Sequence, residues 1–261
     1  MTTTQDGTWR GRRVVVTGAG RGIGFSIARH FAEAGAEVIA ASRRPTDELT
    51  ELSRSTATTF VPVDLATDDA PTVLGAAAGA VDILVNNVGL ATARPGGFLS
   101  ITDDQWMSSL TLNFLAAMRI TRELLPGMLD RPGSAIVNVV SVNAELPDPA
   151  VLDYSVAKAG LASFSKALSK EFGGRVRVNW VNPGPVETDL WLGTGGIAET
   201  FSASGAGAPQ DVAAAAVAGT ATKRFSRPDE VARLVLFLAG DGAANITGAG
   251  VRIDGGLVTT L

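Results

Sequence analysis

Cysteine is missing from all 261 residues, and histidine occurs once, at His30. No disulfide, thiol nucleophile or cysteine metal site is therefore open to this chain. One histidine leaves no place for a Ser-His-Asp triad and argues against a zinc site, so no metal is expected. His30 itself, flanked by Arg29 and Phe31 within a helical pattern, reads as a surface residue. A basic excess is lacking too: the formal net charge is −4, so no global field draws the chain to nucleic acid or to an anionic membrane. No apolar run approaches the roughly 18 residues of a membrane-crossing helix. The segment Met1-Thr-Thr-Thr-Gln-Asp-Gly7 lacks the basic start and apolar stretch of a signal peptide. The expectation is a soluble, cytoplasmic protein that works without nucleic acid or membrane.

What the chain does carry is a regular alternation of strand and helix signals. Val14-Val-Val16 is a β-branched run, followed by a glycine turn and by Ile23 to Ala34 at helical spacing, with Gly35 as the stop. Val38-Ile-Ala-Ala41, Phe60-Val-Pro-Val63 and Ile83-Leu-Val85 read as the next strands. A helix carrying Trp106 to Leu125 leads to Ala135-Ile-Val-Asn-Val-Val140, and the helix bearing Tyr154 runs to about Glu171. Arg175-Val-Arg-Val-Asn-Trp-Val181 gives a sixth strand and Gly250-Val-Arg-Ile253 a seventh. Apolar strands without polar alternation indicate a sheet buried on both faces, hence parallel with helices above and below. The fold class expected is α/β: one Rossmann domain over 1–261, with a doubly wound, mostly parallel seven-stranded sheet and its ligand at the carboxyl ends of the strands. Two segments depart from the pattern. Between Asp64 and Asn86 only Gly75-Ala-Ala-Ala-Gly79 offers a helix, which should be brief. The Gly-, Ala-, Ser- and Thr-rich stretch at about 189–222 reads either as a loosely packed surface helix pair or as a mobile lid over a substrate.

The first glycine turn, Thr17-Gly18-Ala19-Gly20-Arg21-Gly22-Ile23-Gly24, lies between strand and helix. Gly18 permits a tight turn, and Gly22 and Gly24 let the helix start approach a pyrophosphate closely. Free N–H groups and the helix dipole there favour negative charge. Thirteen residues after Ser141 comes Tyr154-Ser-Val-Ala-Lys158. Positions i and i+4 share a helix face, so phenol and ammonium project side by side. A cation beside a phenol favours the phenolate and lowers a pKa that is ordinarily about 10.

With these motifs in place the chain resembles the short-chain dehydrogenase/reductase family, from about Gly11 to Asp254. The matching elements are the glycine turn, Asn86-Asn87-Val88-Gly89, Asn113, Ser141, Tyr154 with Lys158, and Pro183-Gly184 followed by Val186 and Thr188. The family usually carries alanine where Val88 stands. The resemblance implies transfer of hydride from a nicotinamide to a ketone carbon. Tyr154 protonates the developing alkoxide, and Ser141 orients the carbonyl. Lys158 lowers the Tyr154 pKa and hydrogen-bonds the nicotinamide ribose. For Asn113 it implies a water that links Lys158 to solvent; read in its own apolar setting, Leu110-Thr-Leu-Asn-Phe114, the amide is a core group satisfied by backbone. The resemblance further places against the cofactor Gly18, Gly20, Arg21, Gly22, Ile23 and Gly24; Asn86, Asn87 and Gly89; and Tyr154 and Lys158. Pro183, Gly184, Val186 and Thr188 complete that wall. Asp64, next to Leu65, is similar to the residue that holds the adenine amino group, and is otherwise a helix cap.

Coenzyme choice turns on the end of the second strand, where an acid would bond the ribose hydroxyls and repel a 2′-phosphate. Ser42 stands there, followed by Arg43 and Arg44, with Arg21 in the glycine turn. Serine and guanidinium suit a phosphate, so NADPH is expected; Arg43 and Arg44 are otherwise ordinary solvated charges. The sequence looks most like the 3-oxoacyl thioester reductases and the ketoreductases of bacterial secondary metabolism. An NAD-linked alcohol dehydrogenase, an epimerase or dehydratase on the same scaffold, and a nucleotide sensor without catalysis are the alternatives. Trp191 is a candidate for touching substrate, and Trp180 for filling the interior. Ala157, Ala159, Leu161, Ala162 and Phe164 give the Tyr154 helix more apolar surface than one buried face needs, and Leu257-Val-Thr-Thr-Leu261 has a similar excess. Both suggest contact with a second subunit, and the resemblance implies a homodimer or homotetramer.

Overall fold

Seven short strands lie side by side and all run the same way: Arg13–Thr17 (β1), Glu37–Ser42 (β2), Thr58–Pro62 (β3), Ile83–Asn86 (β4), Ala135–Val139 (β5), Arg177–Pro183 (β6) and Gly250–Ile253 (β7). Their order is β3-β2-β1-β4-β5-β6-β7, with Val15 in register with Ile39 on one side and Leu84 on the other. In this computed structural model residues 9–205 and 207–260 are described; the segment read above for a signal peptide and Leu261 lie outside them. The chain leaves β1 in one direction and returns to pair β4 on its other edge. That reversal opens a crevice beyond the carboxyl ends of β1 and β4.

The absence of polar alternation has the expected cause. Val14, Val16, Val38, Ala40 and Val85 point into one core with Ile27 and Phe31 of Gly22–Glu33 (α1). Val15, Ile39, Leu84 and Ile136 point into the opposite one, with Leu74 of Ala70–Ala78 (α3) and Ile120 and Met128 of Ala116–Met128 (α5). The first core is closed by Val231, Val235 and Leu238 of Pro228–Ala239 (α10). Trp9 meets Phe31 edge-on at 4.8 Å. His30, read as a surface residue, is half-buried and bonds through Nδ1 with the Ser26 carbonyl at 2.8 Å.

The helices differ from the sequence reading in several places, among them α10, which no signal above marked out. Helix α3 has nine residues, starting five residues before Gly75, with proline in its first turn and Gly79 at φ 60° ending it. An additional helix, Asp47–Ser55 (α2), follows β2; its start is capped by Thr46, whose hydroxyl accepts from the Leu49 N–H at 3.2 Å. The stretch around Trp106 to Leu125 is two helices, Asp103–Leu110 (α4) and α5, joined by a wide π turn at Thr111–Leu115. Beyond β6 the Gly- and Ala-rich segment forms three helices: Asp189–Leu192 (α7), Ile197–Ala203 (α8) and Pro209–Ala218 (α9).

Part of the surplus read as an assembly face is packed within the chain, and Ala159, Ala162 and Phe164 stay half-buried. Ala157 and Leu161 of Leu152–Phe172 (α6) are fully buried. Ala162 and Phe164 pack with Phe114 and Trp180, so Trp180 fills the interior. The tail after β7 is held by Asp254, whose carboxylate accepts from the N–H groups of Gly256 and Val258, both at 2.9 Å. No helix among the described residues is long and apolar enough to cross a membrane.

At the amino ends of the strands Asp82 is nearly inaccessible and accepts from Arg131 Nε and Nη2 at 2.9 Å and from the Arg13 N–H at 2.8 Å. Burial pushes its carboxyl up, but the Arg131 bond, the Arg13 N–H and the Arg131 and Arg12 charges outweigh it and hold the group below the usual range. Asp82→Ala is therefore expected to destabilise the fold by about 2–3 kcal/mol, because it strands buried donors and a guanidinium. Chemical denaturation at neutral pH should show a lower midpoint with an unchanged slope. A carboxyl whose folded pKa is depressed stabilises above its unfolded value of about 3.9 and loses that contribution as pH falls below it. The gap between wild type and variant should therefore close in acid.

Candidate active site

The crevice is one continuous cavity of about 1550 Å³, running from the glycine turn and Ser42 to Ser141 and Tyr154. At the β1 end, Gly18 and Gly22 have φ of 66° and 57°. A Cβ on Gly24 would stand 2.1 Å from the Gly18 carbonyl oxygen, so turn and helix start are in direct contact. The amide of Asn87 donates to the carbonyls of Thr17 at 2.9 Å and Gly18 at 3.3 Å, while Thr17 Oγ1 accepts from the Asn87 and Val88 N–H groups. This ties the ends of β1 and β4 together, with Val88 half-buried against the core. No side chain caps α1, so its first N–H groups stay available to an anion. Gly20, Arg21, Gly22, Ile23 and Gly24 all line the cavity, and Thr188 packs against the position a Gly22 Cβ would take, at 3.3 Å. The glycine cradle and its uncapped helix start fit a dinucleotide pyrophosphate.

Beyond β2, Ser42 donates to the Arg44 carbonyl at 2.9 Å, and Arg43 and Arg44 stand exposed at the rim. Arg21 reaches across to Asp189 at 3.4 Å. Asp64 accepts from the Ala66 N–H at 3.1 Å, which closes a local turn; α3 starts later, after Asp69, so Asp64 is not its cap. Leu65 is buried in the cavity floor. Pro183, Gly184 and Val186 line the cavity at the end of β6. Asn86 does not join them. It is fully buried and donates to Thr121 at 3.0 Å and to Asn138 at 2.9 Å, so its side chain braces the central sheet.

At the far end, Ser141 follows β5 and its hydroxyl accepts from the Asn143 N–H at 3.1 Å. Tyr154 and Lys158 lie one turn apart on α6, the ammonium 5.6 Å from the phenol ring centre. Lys158 donates to the Val139 carbonyl at 2.9 Å. Burial pushes its ammonium down to about 8. Burial likewise pushes the Tyr154 phenol up to about 12, against a smaller downward pull from Ser141. Here the ammonium donates to a carbonyl, and loss of solvent is the largest influence on the phenol. Asn113, in the π turn, donates to the carbonyls of Leu90 and Ser109 at 3.0 Å and accepts from the Leu90 N–H at 2.8 Å. Its amide is satisfied by backbone. Gly89 lets Asn113 and Lys158 converge, since a Cβ there would meet them at 3.0 and 3.1 Å.

Other residues of the wall were not singled out from sequence. Arg94 forms an ion pair with Asp153 at 2.5 Å, the two side chains only 11% and 1% exposed, and clamps the loop after β4 to the start of α6. Leu257 of the tail lines the cavity, as do Leu146, Ile197 and Phe201. Trp191 lines it as expected and rests edge-on against Phe225 at 5.9 Å.

A family model described as enoyl-(acyl carrier protein) reductase matches residues 18–258. Among curated proteins, the 3-oxoacyl-(acyl-carrier-protein) reductase of Chlamydia trachomatis is 31% identical over 257 residues, covering 94% of this chain and 97% of the relative. The D-erythrulose reductase of Gallus gallus is 35% identical over 264 residues, covering 98% and 99%. Among solved structures, L-sorbose reductase from Gluconobacter frateurii, complexed with NADPH and L-sorbose, is similar with a TM-score of 0.88 and 32% identity, covering 99% of this chain and 100% of that one.

Proposed function

The chain belongs to the short-chain dehydrogenase/reductase family, and from that premise we propose that it reduces ketones to secondary alcohols with NADPH, through Ser141, Tyr154 and Lys158. The observation that carries this reading is the shared cavity. A glycine cradle for pyrophosphate forms one end, and a hydroxyl, a phenol and an ammonium converge at the other. When bound there, the nicotinamide supplies the hydride.

The chain's own groups do the rest. Ser141 donates a hydrogen bond to the carbonyl oxygen and steadies the negative charge that develops on it. A phenol held up to about 12 is fully protonated near neutrality, so Tyr154 acts as general acid and gives its proton to that oxygen. Lys158, a cation below about 8, favours the phenolate left behind and donates to the nicotinamide ribose. Asn113 positions the loop after β4 through both bonds to Leu90. A panel of ketones added to purified protein, followed by NADPH absorbance, tests the proposal; no consumption with any ketone would refute it.

The preference for NADPH rests on Ser42, Arg43 and Arg44 at the rim where an adenosine 2′-phosphate would lie. Combining Ser42→Asp with Arg43→Ser should raise the KM for NADPH roughly tenfold or more, since a charge-assisted bond is lost and a like charge added. Use of NADH should improve in the same variant. A wild type that already prefers NADH widely would show that these residues are assigned wrongly.

A further inference from the structure

We infer that the substrate is an uncharged ketone with apolar substituents, presented free and not as a thioester on an anionic carrier such as coenzyme A. This rests on the reductase reading above and sharpens it to a substrate class. Val151, Leu190, Trp191, Ile197 and Phe201 pack with Tyr154 in an apolar part of the wall, and Leu90 and Leu146 also line the cavity. Leu90 and Leu146 are nearly half exposed at its mouth. Such walls reward apolar substituents, whereas a polyol would strand hydroxyls against them.

The charges on this side of the cavity are carboxylates. Asp148 and Asp189 line it, and Glu199 and Asp211 complete the charge of the segment 189–222, which has no lysine or arginine. Arg21 lines the cavity, Arg94, Lys223 and Arg224 lie outside its lining, and all four are engaged. Arg94 is locked to buried Asp153, Arg21 pairs with Asp189, and Arg224 holds Glu230 at 2.7 Å. Lys223 donates to the Ala218 carbonyl. A phosphate-bearing arm leaving past Asp148 would meet its carboxylate and find no free partner among these four cations.

The test compares three probes with the purified full chain and NADPH: ethyl 3-oxohexanoate, acetoacetyl-coenzyme A and L-sorbose. The neutral ester should exceed each of the others in kcat/KM by about 100-fold, the scale of like-charge juxtaposition or of unpaired buried polar groups. Added salt screens exposed charges, so it should narrow the gap to acetoacetyl-coenzyme A and not the gap to L-sorbose. Asp148→Asn, which retains an acceptor for the Ala150 N–H now bonded at 2.9 Å, should narrow the same gap. Equal or better use of acetoacetyl-coenzyme A or of L-sorbose would overturn the inference and leave the reductase reading standing. A gap that neither salt nor Asp148→Asn moves would overturn its electrostatic basis. No NADPH consumption with any probe, despite intact nucleotide binding, would bring down the reductase reading and this inference together.

Discussion

Tyr154→Phe should bind NADPH as wild type does and lose about 100-fold or more in kcat for ketone reduction, the usual share of a general acid. The substitution removes one oxygen and leaves the ring that lies 5.6 Å from the Lys158 ammonium, so packing around the cavity is conserved. Tyr154 is the only tyrosine in the chain, which makes its ionisation separately readable by ultraviolet difference absorbance. With burial pushing the phenol up to about 12, no phenolate signal should appear near the ordinary value of about 10. Lys158 is the group that titrates within reach: held down to about 8, it is charged below that pH and neutral above. Reduction should therefore run at full rate on the acid side and fall as pH rises through about 8. Near-normal turnover in Tyr154→Phe would remove the phenol from the mechanism. A phenolate signal near pH 10 would mean that solvent reaches it.

The site was readable from sequence wherever a residue works through its own backbone segment. The glycine turn, the Tyr154–Lys158 spacing and Ser42-Arg43-Arg44 are local patterns, and each lands on the wall of one cavity. The Asn86 side chain has a different task, in the central sheet. It is adjacent to Asn87, but strand alternation turns it into the sheet interior, where Thr121 and Asn138 receive it. The Arg94–Asp153 clamp joins residues 59 apart, and neither has a local pattern that sets it apart from a solvated charge. Leu257 reaches the cavity only because Asp254 folds the tail back. Spacing places the Lys158 ammonium on the correct face without saying where its hydrogen bond goes, which is to the Val139 carbonyl.

For the fold, the first five strands announced themselves as largely apolar runs, whereas β6 and the edge strand β7 carry Arg177, Asn179 and Arg252 among their apolar residues. What went unread was helical. Helix α2 buries only Leu49 and Leu52, too few for a visible stripe. Helix α3 begins before its alanine run, and the π turn at Asn113 lets α4 and α5 pass for one continuous helix. In each case the deciding contact lies on another element.

Gly24→Ala should raise the NADPH dissociation constant about 100-fold, although the added methyl touches no reacting group. Its Cβ would fall 2.1 Å from the Gly18 carbonyl oxygen and 2.4 Å from Asn87 Nδ2. Neither can yield cheaply: the first is backbone, and the second is held by bonds to Thr17 and Gly18. The turn must therefore open, or the start of α1 must withdraw from the cavity. Misplacement by about an ångström costs on the order of 100-fold where geometry carries the interaction, and overpacking costs the fold a further 1–3 kcal/mol or so. Gly20→Ala is the comparison: its Cβ would meet the Ser42 hydroxyl at 2.9 Å, a side chain able to rotate aside, and the Arg44 carbonyl only at 3.4 Å. Nucleotide titrations followed by tryptophan fluorescence should rank the two variants clearly, with Gly20→Ala the less affected. A Gly24→Ala protein that binds NADPH within about threefold of wild type, well short of the cost of such a displacement, would show that the cradle is not where the pyrophosphate sits.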